Sequence, residues 1–177
     1  MVVGEKEREA GEKGHLIFVY GTLKRGLPNY PLMEGLMAGN DVVLVGSYTT
    51  EEPHPLVLGP NGIPYLINLP GSGHRVKGDL YSVSDRALSL LDDFEGLSVG
   101  HYERLPVRVA DDGGDKLEAE AYFGHRGFGV ELWKKKGEVG LKEYGVEEAK
   151  EYVRKENRKP GSNIIDQVRD FVCGSPC

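Results

Sequence analysis

The stretch His15-Leu16-Ile17-Phe18-Val19-Tyr20-Gly21-Thr22-Leu23-Lys24-Arg25-Gly26 constrains the chain more than any other. Its first half is apolar, β-branched and aromatic, the composition of a buried strand, and it stops abruptly at a polar loop bounded by glycines. A glycine directly after a buried strand lets the backbone approach a ligand with no Cβ in the way, and successive N–H groups of such a loop can converge on a negative charge. Taken alone, the pattern also fits a plain turn. A second stretch, Leu90-Leu91-Asp92-Asp93-Phe94-Glu95-Gly96, strengthens the ligand-loop reading, because it crowds three carboxylates at the end of an expected helix, where the backbone dipole disfavours negative charge.

With 177 residues the chain has room for one domain, or one domain with a tail, and for a substantial core. Cys173 and Cys177 both lie near its end, giving neither a staple across the fold nor a four-ligand metal site, so a reducing, intracellular setting is the natural reading. The formal charge of -6 argues against sequence-independent nucleic-acid binding, which depends on clustered Lys and Arg. Residues 1–14 are charged and glycine-containing, unlike a signal peptide, and read as a mobile leader that can bury almost nothing. No run approaches the roughly 20 apolar residues of a membrane span, so a soluble cytoplasmic protein is expected.

Along the chain, strands are expected at Leu16 to Tyr20, Asp41 to Thr49, Leu56 to Leu58, Ile63 to Leu69, Val76 to Val83, Tyr102 to Ala110 and Lys116 to Phe123. The turn Gly59-Pro60-Asn61-Gly62 and the run Asp111-Asp112-Gly113-Gly114-Asp115 each predict a hairpin. Pro31 to Met37 reads as one or two helical turns. Asp85 to Phe94 predicts a longer helix with Ser84 as N-cap, Gly96 as its stop, and Ala87, Leu88, Leu91 and Phe94 on one apolar face. After Gly124 the character changes. Leu141 to Asn157 places Leu141, Tyr144, Ala149 and Val153 on one side of an expected amphipathic helix, and Asn163 to Val172 suggests a last short one.

Tyr20-Gly21-Thr22-Leu23, then Leu91-Asp92-Asp93-Phe94-Glu95-Gly96, then Tyr102-Glu103-Arg104 resemble the γ-glutamylcyclotransferase-like family. Asn61-Gly62-Ile63-Pro64-Tyr65-Leu66 and Leu69-Pro70-Gly71-Ser72-Gly73 look more like its γ-glutamylamine cyclotransferase branch, and the chain also resembles the plant avirulence-induced members. The likeness covers about Leu16 to Gly124. It implies an α+β fold, a small mixed β-barrel with a few packed helices, over residues 15–128, with residues 129–177 as a helical C-terminal extension. It also implies a small-molecule γ-glutamyl substrate, no cofactor, and closure of the γ-glutamyl group to 5-oxoproline with release of an amine.

By that resemblance Glu95 holds the position of the catalytic glutamate and Tyr20, Gly21, Thr22 and Leu23 hold the substrate. A carboxylate that takes a proton from the substrate amine and returns one to the leaving amine needs a raised pKa; the helix end, Asp92, Asp93 and burial would all raise it. The N–H groups of Gly21, Thr22 and Leu23 are the candidates for binding the developing oxyanion, and a side chain at Gly21 would clash with substrate or displace the loop. Tyr20, Tyr102 and Tyr122 offer either hydroxyls to the glutamyl α-carboxylate or walls to the pocket. Arg104 is a possible carboxylate partner or an outward strand residue, and Lys24 and Arg25 either attract an anionic substrate or form a solvated turn. His15, His54, His74, His101 and His125 lack metal-ligand spacing, which leaves them loop or surface roles, and no metal site is expected. Gly124 to Gly129 is a connector placed where a lid could sit. The rival reading is a ligand-binding or regulatory protein on the same fold, with residues 129–177 as its interaction surface.

Overall fold

Side-chain alternation decides the architecture. In a computed structural model, which describes residues 14–161 and 163–174, β1 (His15–Val19) sends Phe18 into one apolar cluster and Ile17 and Val19 into another. The expected leader lies, apart from Gly14, outside the described residues. The period-2 rule makes both faces of the strand apolar, so the sheet is covered on both sides at β1.

The strands β2 (Val42–Thr50), β3 (Leu56–Leu58), β4 (Pro64–Leu66), β5 (Lys77–Val83), β6 (Tyr102–Ala110) and β7 (Lys116–Gly124) run in the order β1-β5-β2-β6-β7-β4-β3. A parallel pairing of Ile17 with Glu120 joins β1 back to β7 and closes β1, β5, β2, β6 and β7 into a barrel. Phe18, Leu80, Val109, Ala121 and Phe123, drawn from four of these strands, pack together. Residues of opposite parity, among them Val19, Tyr81 and Val83, pack with the apolar faces of the helices. Gly78 is required where β1 meets β5: a Cβ there would lie 2.4 Å from the Val19 carbonyl oxygen and 2.8 Å from the Phe18 ring.

Helix α1 (Tyr30–Ala38) buries Met33 and Leu36, and α2 (Asp85–Phe94) buries Ala87, Leu88 and Leu91. The α2 boundaries follow from its signals, since the Ala87 N–H donates to Ser84 Oγ (3.1 Å) and Gly96 adopts φ 70° just past the helix. The hairpin β6–β7 forms as expected, with Tyr102 opposite Gly124 and Ala110 opposite Lys116. The strand expected to run from Ile63 to Leu69 is shorter: the Ile67 N–H still donates in register to the Pro55 carbonyl, but Pro55 has no N–H to carry the ladder further.

The C-terminal part departs most from expectation. The helix expected over Leu141 to Asn157 is absent: Gly145 is extended, and only α4 (Val146–Ala149) is helical before a short turn at Lys155–Asn157. Main-chain bonds to the barrel replace helical ones, from Leu141 N–H to the Leu56 carbonyl, from Lys77 N–H to the Lys142 carbonyl and from Val153 N–H to the Asn61 carbonyl. Helices α3 (Gly129–Lys135) and α5 (Ile164–Cys173) bury Leu132, Trp133 and Val168 against the same core. Asn163 caps α5 through the Asp166 N–H. No helix among the described residues is long and apolar enough to cross a membrane.

Candidate active site

The loop after β1 turns into a cavity of about 720 Å³ lined by Tyr20, Gly21, Thr22, Leu23, Glu95 and Tyr102, with further residues noted below. The Gly21 and Thr22 carbonyls accept from the Lys24 and Asn29 N–H groups. The N–H groups of Gly21, Thr22 and Leu23 donate to no acceptor among the described residues, which leaves three consecutive donors at the cavity. Asn29 fixes the loop further, its Nδ2 donating to Thr22 Oγ1 (2.9 Å). An added Cβ at Gly21 would sit 2.8 Å from Pro64 Cγ, so the close approach that demands glycine is to the barrel rather than to substrate.

Glu95 follows the last residue of α2, and the turn through Gly96 brings it to the cavity. Its carboxyl forms no hydrogen bond or ion pair among the described residues. It is half-buried as a residue because it faces open space, but the protein packed around the carboxyl removes enough water to push its pKa up to about 8. Burial is the whole cause. The neighbouring aspartates contribute nothing to it: Asp92 turns away to pair with Arg104 and to accept from the Tyr122 hydroxyl (2.7 Å), and Asp93 is exposed.

The three site tyrosines have no free hydroxyl donor. The Tyr20 hydroxyl donates to the Tyr122 carbonyl and accepts from the Leu66 N–H, Tyr102 donates to the Pro64 carbonyl (2.7 Å), and Tyr122 donates to Asp92. Their rings therefore build walls, and the alternative of hydroxyls offered to a substrate carboxylate is not what the side chains do. Burial holds all three phenols far above the ordinary value and so protonated. Arg104 is held by Asp92, with Glu120 3.5 Å from its Nε. Arg25 grips Asp79 (3.0 Å), while Lys24 is buried and pairs with Glu143 (3.3 Å); neither lines the cavity.

The family model described as gamma-glutamyl cyclotransferase, AIG2-like, matches residues 17–144. The chain belongs to this family. Over 175 residues it is 42% identical to a protein of Arabidopsis thaliana provisionally named a gamma-glutamylcyclotransferase, covering 92% of this chain and 93% of that one. With the human gamma-glutamylaminecyclotransferase it shares 45% identity over 95 residues, 53% of this chain and 61% of the human protein. The crystal structure of a mouse AIG2-like protein superposes with a TM-score of 0.67 at 32% identity, covering 82% of this chain and 99% of that one.

Beyond the stretch matched by the gamma-glutamyl cyclotransferase family model, residues 152–161 and 163–167 contribute a wall that the sequence does not announce. Tyr152, Arg158, Asn163, Ile164 and Gln167 all line the cavity. The wall is tied to the loop and to the barrel, Asn29 Nδ2 donating to the Tyr152 hydroxyl (3.0 Å) and Asn61 Nδ2 to Gln167 Oε1 (2.7 Å). The connector at 124–129 is no lid: Phe128 is buried, and His125 lies 3.2 Å from Glu103. His101, read from sequence as a loop or surface histidine, instead lines the cavity, lies tilted against the Tyr102 ring with 4.4 Å between centroids and shares a hydrogen bond with the Tyr65 hydroxyl (2.8 Å). Burial, with the Arg158 charge as the lesser cause, pushes its pKa down to about 4, so its ring is neutral at pH 7. A spacing rule cannot find such residues, because their partners lie far away in sequence; the signal in reach is the pair Gly96 and Gly100, both at positive φ, which folds His101 inward.

Proposed function

We propose that the protein is a γ-glutamyl cyclotransferase in which Glu95 carries the protons and the Gly21 to Leu23 backbone binds the oxyanion. One observation supports this reading above the others: an unpartnered carboxyl with a pKa near 8 shares a cavity with three consecutive uncommitted N–H donors.

The chemistry follows from the substrate. The α-amine of a γ-glutamyl group is an ammonium below its pKa of roughly 8. Glu95, as carboxylate, takes one of its protons, and the match of the two pKa values makes that transfer nearly neutral in energy. The freed nitrogen attacks the γ-carbonyl carbon and closes a five-membered ring. Negative charge develops on the carbonyl oxygen, where each fixed N–H donor is worth about 3 to 4 kcal/mol by the cost of its removal. Glu95 delivers the proton it took to the leaving nitrogen and, ionised again, takes the second proton, which the ring nitrogen carries once it has bonded to the carbon. The oxyanion then collapses, the bond to the leaving nitrogen breaks, and Glu95 gives the second proton to the departing amine. The products are 5-oxoproline and a free amine, and Glu95 ends as it began. The step is redox-neutral, and nucleophile, electrophile and leaving group all belong to one substrate, so the reaction calls on no cofactor.

Purified protein is incubated with γ-glutamyl-ε-lysine, γ-glutamyl-alanine and glutathione, and 5-oxoproline is read by mass spectrometry, with Glu95→Gln alongside. The expected result is release from at least one substrate and a loss of about 10² or more in the variant. Equal turnover in the variant would remove Glu95 as the base.

A further inference from the structure

A γ-glutamyl substrate carries an α-carboxylate, and amino-acid leaving groups carry another. The hydroxyls of Tyr20, Tyr102 and Tyr122 are committed to the protein, and the loop N–H groups serve the oxyanion. The cations on the cavity wall are Lys155, Arg158 and Lys159, and the two lysines are exposed at its rim. Arg158 is different. Its Nε donates to the Val153 carbonyl (2.9 Å), one Nη2 hydrogen goes to the Tyr152 hydroxyl (3.1 Å), and its guanidinium lies 5.5 Å from the centre of the Tyr152 ring. Those bonds leave Nη1 without an acceptor among the described residues. The other acidic groups on the cavity, Asp93 and Glu156, are exposed, and neither pairs with Arg158. The Tyr152 hydroxyl accepts from both Asn29 and Arg158, so its own hydrogen is uncommitted.

We infer that Arg158, with the Tyr152 hydroxyl beside it, is the substrate carboxylate-binding site of this cavity. The inference rests on the cyclotransferase reading. A preorganised planar fork with idle N–H groups suits a carboxylate better than a mobile ammonium does. Its charge already reaches the site, where it opposes the effect of burial on the Tyr65 phenol and adds to that effect on the His101 ring. The carboxylate has two sources of the same chemistry, the glutamyl part that stays in the product and the amine that leaves.

Steady-state kinetics of the full chain and of Arg158→Gln and Arg158→Lys, on γ-glutamyl-ethylamide and γ-glutamyl-alanine, distinguish the sources. Calorimetric binding of 5-oxoproline is the second arm and needs no turnover. A rise in KM of about tenfold or more for both substrates, with kcat within twofold and 5-oxoproline binding weakened to match, supports the glutamyl carboxylate. The same rise for γ-glutamyl-alanine alone, with 5-oxoproline binding unchanged, supports the leaving-group carboxylate. In either case Arg158→Lys falls between wild type and Arg158→Gln. A KM change under twofold on both substrates overturns the inference, and so does a fall in kcat alone or one explained by a lowered melting temperature. If the wild-type protein turns over neither substrate, the cyclotransferase reading fails; Arg158 then stands if 5-oxoproline binds and the variant loses it, and falls otherwise.

Discussion

Replacing Glu95 with Gln should make the protein more stable as it makes it inactive. The carboxyl faces the cavity, has no partner among the described residues, and is nearly isosteric with the amide, so the substitution removes an ionisation without breaking a contact. The sign is set by linkage. A pKa raised from the ordinary 4.5 to about 8 means that the folded state holds a proton the unfolded state has released, and stability declines as pH rises across that window. At about 1.4 kcal/mol per pH unit the decline is about 3 kcal/mol at pH 7 and about 5 kcal/mol above pH 8. Water in the open cavity screens part of this and leaves about 1 to 3 kcal/mol at neutral pH. For a chain of this size each kcal/mol moves the melting temperature by about 2 to 4 °C. Melting both proteins from pH 4.5 to 8.5 should give a difference near zero at the acid end that widens in favour of the variant. A difference that does not change with pH would refute the argument, because it would mean that the carboxyl ionises in the folded protein as it does in water.

The same ionisation should appear in the kinetics: kcat/KM for the wild-type protein should rise with pH to a maximum near 8, where Glu95 ionises while the substrate amine still holds its proton, and fall beyond it; an acid-side inflection near 4.5 would detach the base from Glu95. Gly78→Ala forces a methyl against the Val19 carbonyl and the Phe18 ring, and its denaturant midpoint should fall by the equivalent of about 3 kcal/mol, the upper end of overpacking costs; an unchanged midpoint would show that β1 and β5 can separate freely. Truncation after Tyr144 removes buried Val168 and half-buried Tyr152, Ile164 and Phe171 from the core, and should cost about 3 to 6 kcal/mol in chemical denaturation. A truncated protein with the parent midpoint would make that segment an accessory.

Much of the barrel was legible because its signals are local. Ser84, Asp85 and Gly96 bracket α2 by capping chemistry alone, and the glycine and aspartate run at 111–115 sets the β6–β7 hairpin. Glu95 was singled out by the family resemblance and lines the cavity, although its neighbours suggested the wrong cause for its pKa: whether Asp92 faces Glu95 or Arg104 depends on a strand twelve residues further on. The C-terminal wall was not legible. The apolar spacing of Leu141, Tyr144, Ala149 and Val153 is real, but Tyr144 is used to fill the barrel cluster and the Val153 N–H bonds to Asn61, and these long-range contacts outweigh a modest helical preference interrupted at Gly145. Arg158 and His101 acquire their surroundings only when that wall is laid down.

The main-chain bonds between the C-terminal segment and the barrel have a consequence for how the protein behaves in a crowded solution. The sheet order ends at β3, whose outer side would present unpaired N–H and C=O groups to any passing chain. The strand is only three residues long, and Leu141 already occupies the Leu56 carbonyl, so the chain supplies its own cover where a second molecule could otherwise add a strand. Loosening residues 136–145 would thus create a sticky border, and self-association would be the first sign that this cover had come away from β3.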